Sequence, residues 1–265
     1  MNRSCGFSMS NQWGHEAGMT RVTIDAAGMH YTPLNRRIRE AIGAGADEIV
    51  ITGVMGQRFI ADGVRGRGTI LIHGIPGGDL GMFMSGPTCI VYGNCDHAPG
   101  NTMDSGTIII HGSAGDAVAH SMRGGRVFVR DNIGYRGGIH MKQYQDKCPV
   151  LVIGGEFRSF LGEYMAGGLI LALGDPGRNS GRERGIGSGI HGGRIIIRGG
   201  PLDDRCLGVG AAQRPLSGEG YRQIQPIIRE FADVFSLDPD PLLRDRYTEI
   251  VPSSSRPFAN KYTWE

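Results

Sequence analysis

Short apolar strands recur along the middle of the chain at a nearly constant spacing. A single apolar residue and a glycine-rich step precede each strand, and these apolar residues lie 20, 19, 19, 19, 24 and 25 positions apart. They are Val64, Met84, Met103, Met122, Met141, Met165 and Ile190. Typical strands are Thr107-Ile-Ile-Ile-His111 and Arg194-Ile-Ile-Ile-Arg198, and residues 49–52 form an earlier, less regular member. This fixed period indicates a solenoid, in which each coil stacks on the previous one.

Stacking explains how strands of four or five residues can be stable. Equivalent strands about 4.8 Å apart pair their backbone N–H and C=O groups and build one continuous core. Glycine supplies the positive φ of the corners between them, as in Met122-Arg-Gly-Gly125. Propeller repeats are about 40 residues long, twice this period, and a sandwich would need more hairpin turns. The pattern therefore predicts an all-β solenoid, with Met84, Met103 and Met122 in one inward column.

The two flanking segments have different patterns. Residues 1–46 form an N-terminal segment in which Leu34, Ile38 and Ile42 have helical spacing and Gly43 ends the helix. The solenoid occupies residues 47–200. Residues 201–265 then contain an amphipathic helix at Glu219–Phe235, interrupted early by Pro226, and a proline-rich extended tail from residue 236. We expect the helix to cover the open last coil and the tail to dock onto another subunit.

Composition excludes several classes of protein. Glycine contributes 45 of 265 residues, but 40% of the chain is hydrophobic, so a disordered chain is excluded. The net charge of +2 argues against a nucleic-acid surface. No apolar run is long enough to span a membrane, and residues 1–19 show no secretory signal. Five cysteines without a signal predict free thiols and a cytoplasmic location.

Several segments together resemble the C-terminal GXGXG domain of the glutamate synthase large (alpha) subunit. They are Ala46-Asp-Glu-Ile-Val-Ile-Thr-Gly53 with Gly56-Gln57, Gly112-Ser-Ala-Gly-Asp116, Met122-Arg-Gly-Gly125, Gly154-Gly-Glu156 and Gly162-Glu-Tyr-Met-Ala-Gly-Gly168. The resemblance covers about 150 residues, from Ile24 to Gly174. It implies a right-handed parallel β-helix with short flanking helices, here in a free-standing form, because the amidotransferase, the FMN barrel and the cysteine-rich segment of the full enzyme have no counterpart.

The resemblance also implies a function. In that family the domain is a scaffold that holds the glutaminase and flavin domains together and carries no catalytic residue. The chain is thus expected to be a non-catalytic subunit of a glutamate synthase-like oxidoreductase. It would have no cofactor, metal or catalytic site of its own, and FMN and iron–sulfur clusters would belong to partner subunits. A related alternative is the scaffold subunit of a formylmethanofuran dehydrogenase-like or methylglutamate synthase-like complex. An alternative of another class is an independent β-helix enzyme with a groove site.

Individual residues offer few sites of their own. Cys5 is not terminal, so an amidotransferase nucleophile is disfavoured. Cys89, Cys95 and His97 are close in sequence but form no Cys-x-x-Cys pair. The G-x-G-x-x-G stretch Gly187–Gly192 is followed by a strand rather than a helix, which favours a coil corner.

Two further sets of polar residues follow the repeat. The ends of successive strands share one phase and should stack in an outer polar column: His73, Tyr92, His111 and Arg130. Nearer the corners lie His120 and His140, whose role the pattern leaves open. The glycine-rich insertion before residue 190 carries four charged residues and is either a solvated loop or a docking loop: Arg178, Arg182, Glu183 and Arg184.

Overall fold

One long sheet organises the molecule. The computed structural model describes residues 18–175 and 183–254. Nine strands run parallel and neighbour one another in sequence order. They are β1 (Arg21–Asp25), β2 (Glu48–Met55), β3 (Thr69–Ile75), β4 (Ser85–Tyr92), β5 (Ser105–Ile110), β6 (Arg126–Val129), β7 (Val150–Ile153), β8 (Ala166–Ala172) and β9 (Gly192–Arg198). This arrangement confirms the prediction of a parallel β-solenoid.

The register between strands places equivalent residues in columns. Ile70 pairs with Cys89, Cys89 with Ile108, and Ile108 with Val127. These side chains point into the solenoid and form its main core. The apolar residue that precedes each strand is also buried, so the predicted inward column of Met84, Met103 and Met122 is confirmed. A repeat of 19 residues therefore appears in space as a stack of side chains with the same environment.

The sheet begins earlier than residue 47. The segment Arg21–Asp25, which the sequence pattern did not identify as a strand, forms β1 and pairs with β2. Helix α1 (Tyr31–Gly43) connects the two strands, as the helical spacing predicted. Leu34, Ile38 and Ile42 are buried in the main core. The first coil is thus a strand followed by a helix rather than a strand followed by a turn.

The C-terminal region differs from the prediction in two respects. The helix, α2 (Gly218–Phe235), continues through Pro226, and it lies on the outer face of the sheet instead of over the last coil. Its apolar side contacts outward residues of β5 to β9 such as Phe128, Val152 and Leu171. The apolar side of α2 shields these residues from water, because outward apolar side chains on the later coils would otherwise be exposed to solvent. The expectation that this segment packs outside the solenoid is confirmed.

The segment after residue 236 is not simply an extended tail. It contains the short helix α3 (Asp240–Leu243) and the strand β11 (Tyr247–Pro252). β11 pairs antiparallel with β9, and β10 (Ala211–Pro215) pairs antiparallel with β11. The prediction was wrong here because prolines at positions 239, 241 and 252 lie at helix and strand ends, where they break no ladder. These two strands, not α2, cover the open edge of the last coil.

A buried carboxylate joins the C-terminal elements. Glu249 on β11 is almost fully buried, and its two oxygens contact Arg194 of β9 at 3.2 Å and Arg214 of β10 at 2.7 Å. Arg194 also donates to the side chain of Gln223 on α2 at 2.9 Å. Removing one member of such a network leaves a buried charge without its partner, which is costly. The network therefore fixes the positions of three strands and one helix.

The thiols are not all free. Cys89, Cys95 and Cys206 are free and buried, as predicted. Cys148 is disulfide-bonded, so the expectation of a free thiol was wrong at that position. The number of cysteines and the absence of a secretory signal could not reveal this bond. A disulfide forms only where the fold brings two cysteines close together.

The Met103 side chain offers a test of the register. We expect Met103→Ala to lower the free energy of unfolding by about 2–5 kcal/mol, because the change leaves a cavity in the main core. Denaturant titration followed by circular dichroism measures this loss. Met55→Ala is the control, since Met55 is 87% exposed and its truncation should change stability little. Equal effects of the two changes would contradict the inward column.

Candidate functional site

Each coil reverses direction through a five-residue turn with an unusual backbone. The first, third and fifth residues of the turn have positive φ. Gly185-Ile-Gly-Ser-Gly189 shows the pattern with glycine at all three positions, at φ values of 70°, 67° and 69°. Corresponding turns span residues 59–63, 79–83, 98–102, 117–121, 136–140 and 160–164. The requirement repeated in these seven turns is therefore the alternation of positive φ, which glycine meets most easily and which other residues also adopt.

The third position of the turn must be small because it points inward. A Cβ added at Gly138 would lie 2.4 Å from Cδ1 of Ile170, and one added at Gly162 would lie 2.4 Å from Cδ1 of Ile195. Ala61 and Ala119 occupy this position in two coils and are fully buried. Sequence reasoning missed this feature, although a glycine or alanine stands three residues before every member of the Val64–Ile190 series. That recurring small residue was the available signal.

Backbone hydrogen bonds hold the turn to its two neighbours. The N–H of Gly100, at the third position, donates to the carbonyl of Leu80 in the preceding coil at 2.8 Å. The N–H of Thr102, at the fifth position, donates to the carbonyl of His120 in the following coil at 2.8 Å. The side chains of the first, fourth and fifth positions are therefore displayed at regular spacing. We call the surface formed by these side chains the turn face.

The early coils of the turn face carry paired charges. Asp79 accepts a hydrogen bond from Asn101 at 2.9 Å, and Arg58 approaches its other oxygen at 3.5 Å. Burial raises the pKa of Asp62; the charge of Arg39 opposes this rise and the carboxylate of Asp79 adds to it. Each charged side chain here meets a partner of its own chain. This part of the turn face is a stabilising network rather than an open catalytic arrangement.

The later coils of the turn face carry aromatic rings. The rings of His120 and His140 are 6.1 Å apart, and His140 stacks on Tyr164 at 5.3 Å. Burial lowers the pKa of His120, and the neighbouring His140 lowers it further, against a smaller opposing effect of Asp79. His120 and His140, whose role the sequence left open, thus belong to one aromatic stack. The lowered pKa favours the neutral form of the His120 imidazole.

Several residues on the turn face are bulky despite their positive φ. Phe83 and His140 both have φ of 55°, and Tyr164 has φ of 53°. Side chains larger than glycine are disfavoured in this region. Phe83 is also 52% exposed, so packing within the chain does not fully offset the strain. Strained, exposed aromatic residues are typical of surfaces that contact something else.

A second ordered surface lies at the ends of the strands. His73 stacks on Tyr92 at 4.9 Å, Tyr92 stacks on His111 at 5.2 Å, and His111 meets the edge of Phe235 at 5.1 Å. This is the outer column predicted from the shared phase of these positions. Burial lowers the pKa of His111, and the positive charge of Arg130, the next member, adds to the effect. The column is a stack of rings without a proton-accepting carboxylate among its four members.

Cys89, Cys95 and His97 do not come together. Cys89 lies in the core with its thiol 3.5 Å from the sulfur of Met84, and burial raises the thiol pKa to about 12. Burial also raises the pKa of Cys95. His97 lies outside, where its Nδ1 accepts a hydrogen bond from the backbone N–H of Asp116 at 2.9 Å. Buried thiols of high pKa stay protonated, which makes them poor ligands and nucleophiles.

The remaining candidate residues from the sequence either form part of a turn or a hydrogen bond within the fold, or lie outside the described residues. Gly187–Gly192 contains the end of a five-residue turn and leads directly into β9, as expected for a coil corner. Glu183 is buried and accepts a hydrogen bond from Ser159 at 2.8 Å, so it is not part of a solvated loop. Arg184 donates to the sulfur of Cys206 at 3.5 Å. Cys5, Arg178 and Arg182 lie outside the described residues.

Residues 18–175 and 183–254 contain neither a metal-binding cluster nor a membrane-spanning helix. In these ranges no three His, Cys, Asp or Glu side chains are grouped so that they could hold a metal ion. Within the same part of the chain, no helix has the length and apolar character required to cross a bilayer.

Comparison with known proteins adds two findings. The model of the GXGXG motif family matches residues 40–254, which is most of the chain. A protein of Methanocaldococcus jannaschii, described as uncharacterized, is 56% identical over 256 residues. The alignment covers 93% of this chain and 98% of that protein. The match to the family model includes α2 and β11 as well as the coils, so these C-terminal elements belong to the shared unit.

The strain at Phe83 can be tested by substitution with glycine. Phe83→Gly relieves a positive φ, whereas Tyr135→Gly, a control at a similarly exposed aromatic residue without a positive φ, only adds flexibility. We expect the Phe83→Gly protein to be more stable than the Tyr135→Gly protein by about 1–2 kcal/mol. Thermal and urea unfolding measure the difference. A loss of equal size in both variants would show that positive φ carries no cost at this turn.

The lowered pKa of His111 predicts a dependence of stability on pH. The folded protein binds a proton at His111 less readily than the unfolded chain, so this residue destabilises the fold as pH falls below about 6.5. We expect His111→Gln to reduce the loss of unfolding free energy between about pH 7 and pH 5. Urea titrations at several pH values measure the slope. Tyr92→Phe, in the same column, serves as the control and should keep the wild-type slope.

Proposed function

The chain belongs to the GXGXG motif family, and we propose that it is a non-catalytic scaffold subunit of a glutamate synthase-like, multi-subunit oxidoreductase. Its function would be to fix the distance and orientation between subunits that carry the chemistry. Those partners would be a glutaminase-type amidotransferase and a subunit with FMN and iron–sulfur clusters. The single observation that carries the proposal is the family match, which extends from the end of α1 through β11.

The architecture supports a role in positioning. Neighbouring coils are joined at the sheet and again at the five-residue turns, so the solenoid has few places at which it could bend. The outer face of the later coils is already covered by α2, and β11 covers the last parallel strand. Because the solenoid is rigid, two subunits bound at different places on it would be held at a fixed distance from each other. Rigid elements with regular surface columns are well suited to holding reactive centres at a set distance.

The ordered surfaces support contact rather than chemistry by this chain. The strand-end column consists of stacked rings, and the turn face combines stacked rings with charges that are paired within the chain. An independent enzyme with a groove site would instead require an acid and a base directed at one reacting atom. Exposed aromatic rings such as Phe83 and Tyr164 resemble the anchors that dominate protein interfaces.

Purification of the tagged chain from its native source tests the proposal. We expect an amidotransferase and an FMN- and iron–sulfur-containing subunit to co-purify in fixed ratio. When a two-electron reductant is supplied, the complex should convert glutamine and 2-oxoglutarate into two molecules of glutamate. The chain expressed alone should show neither this activity nor visible absorption, because the cofactors would belong to its partners.

Other outcomes would overturn the proposal in distinct ways. Visible absorption or turnover by the isolated chain would indicate an independent enzyme. Co-purification with oxidoreductase subunits but without an amidotransferase would indicate a different complex, such as a formylmethanofuran dehydrogenase-like one. The variant carrying Phe83→Gly and Tyr164→Gly should weaken assembly if the turn face is a contact surface, and its matched control is Tyr144→Gly, an exposed aromatic residue of the insertion after β6.

A further inference from the structure

The sheet ends differently at its two edges. At the C-terminal edge, β9 is covered by β11, and β11 by β10, which terminates at Pro215. At the N-terminal edge, β1 pairs with β2 on one side only, and no residue of the described ranges pairs with its other side. An open strand edge is a template for another strand. β1 has neither a proline nor a register shift that would block such pairing.

The hydrogen bonds of β1 show which of its residues face the open edge. At the start of the strand the carbonyl of Thr20 accepts from Glu48, and at its end the N–H of Ala26 donates to the carbonyl of Thr52. In a parallel pair, alternate residues direct their backbone groups to the same neighbour. Residues 20, 22, 24 and 26 therefore face β2. The N–H and C=O groups of Arg21, Thr23 and Asp25 face away from the sheet.

The side chains of these three residues are complementary to a second copy of themselves. Arg21, Thr23 and Asp25 are all exposed and alternate with Val22 and the buried Ile24, so they share the outer face of the strand. The basic residue and the acidic residue lie two positions on either side of Thr23. When two such strands run antiparallel about Thr23, each Arg21 lies opposite Asp25 of the other copy. Opposite charges directly across a strand pair are stabilising, and like charges are destabilising.

We propose that two copies of this chain associate through β1, antiparallel and centred on Thr23, so that their sheets become one continuous sheet. The pairing repeats at the N-terminal edge the antiparallel closure that β11 provides at the C-terminal edge. It pairs the outward-facing backbone groups of Arg21, Thr23 and Asp25 in both copies. It also brings Asp25 of each copy opposite Arg21 of the other, whose guanidinium already contacts Glu48 of its own chain. It is symmetric and closed, so association stops at the dimer.

The helix beside the edge is compatible with this arrangement. Asn35 and Arg39 of α1 bond to the neighbouring turn, through the carbonyl of Arg58 and the carbonyl of Asp62. At 100° per residue, the flank opposite these two residues carries Arg37 and Glu40. This flank therefore presents both signs of charge to a second copy, and a two-fold axis brings opposite signs together. It adds contact area to the pair of short strands.

Charge reversal distinguishes the proposed β1 dimer from non-specific self-association of the chain. Arg21→Glu places two acidic residues opposite each other in the dimer, and Asp25→Lys places two basic residues opposite each other. We expect each variant alone to dimerise about tenfold or more weakly than the wild type. An equimolar mixture of the two variants should dimerise as well as the wild type, because every cross-strand pair in the mixed dimer is again of opposite charge.

Sedimentation velocity of the full chain between about 1 and 100 µM measures the association. The matched controls are Arg222→Glu and Glu219→Lys, which alter an exposed ion pair on α2 far from the edge and should leave the dimer unchanged. A wild-type chain that stays monomeric over this range would overturn the proposal. Single variants that dimerise normally, or a mixture that fails to recover, would overturn it as well.

A second measurement covers the case in which a charge variant does not fold. Asp25 accepts a hydrogen bond from the backbone N–H of Ala27 at 3.0 Å, which Asp25→Lys removes. Arg21 pairs with Glu48 of β2, and Arg21→Glu replaces this ion pair by two like charges. Thr23→Pro removes only an N–H that faces the open edge, and it should abolish the dimer while circular dichroism stays unchanged. In wild-type protein, hydrogen exchange of the Thr23 amide should slow as concentration rises. The chain alone is the sample, so the result does not depend on the proposed function.

Discussion

In-register hydrogen bonding between equivalent residues of neighbouring coils is the interaction on which the rest of the structure depends. Once Ile70 is paired with Cys89 and Cys89 with Ile108, every side chain of a coil has the environment of its counterpart in the next. Inward positions become one core and outward positions become surface columns. A slip of one residue would exchange the two faces, so the burial of the inward column fixes the register.

The five-residue turns follow from the same constraint. A coil that returns to the same register must reverse direction in a fixed number of residues, and alternating positive φ values achieve this. They direct the N–H of the third residue to the preceding coil and those of the first and fifth residues to the following coil. Glycine satisfies all three positions in residues 185–189. Each of the other turns keeps a small inward residue, and several place larger side chains, such as Phe83 and Tyr164, at the outward positions. The backbone strain at those residues is tolerated because hydrogen bonds to the neighbouring coils hold each turn in place.

A stack that can grow indefinitely must be closed at its ends. At the C-terminal edge two antiparallel strands change the direction of the sheet, and Glu249 fixes them through Arg194 and Arg214. On the outer face α2 covers the apolar residues that the later coils expose. At the N-terminal edge α1 fills the core of the first coil, while no residue of the described ranges pairs with the outer edge of β1. Among the described strands, β1 thus differs from β9, whose edge is covered by β11.

The sequence by itself determined the solenoid, because a period of about 19 residues with one buried apolar residue before each strand fits neither a propeller nor a sandwich. It also determined α1, whose apolar spacing is independent of its surroundings, and the strand-end column, which follows from phase alone. It did not determine β1, β11 or the position of α2. These short segments carry no repeat, and their structure depends on which edge or face of the finished sheet lies near them. The alternating turns were visible only as a recurring glycine or alanine, since positive φ at Phe83 or His140 reflects tertiary hydrogen bonds that override local preference.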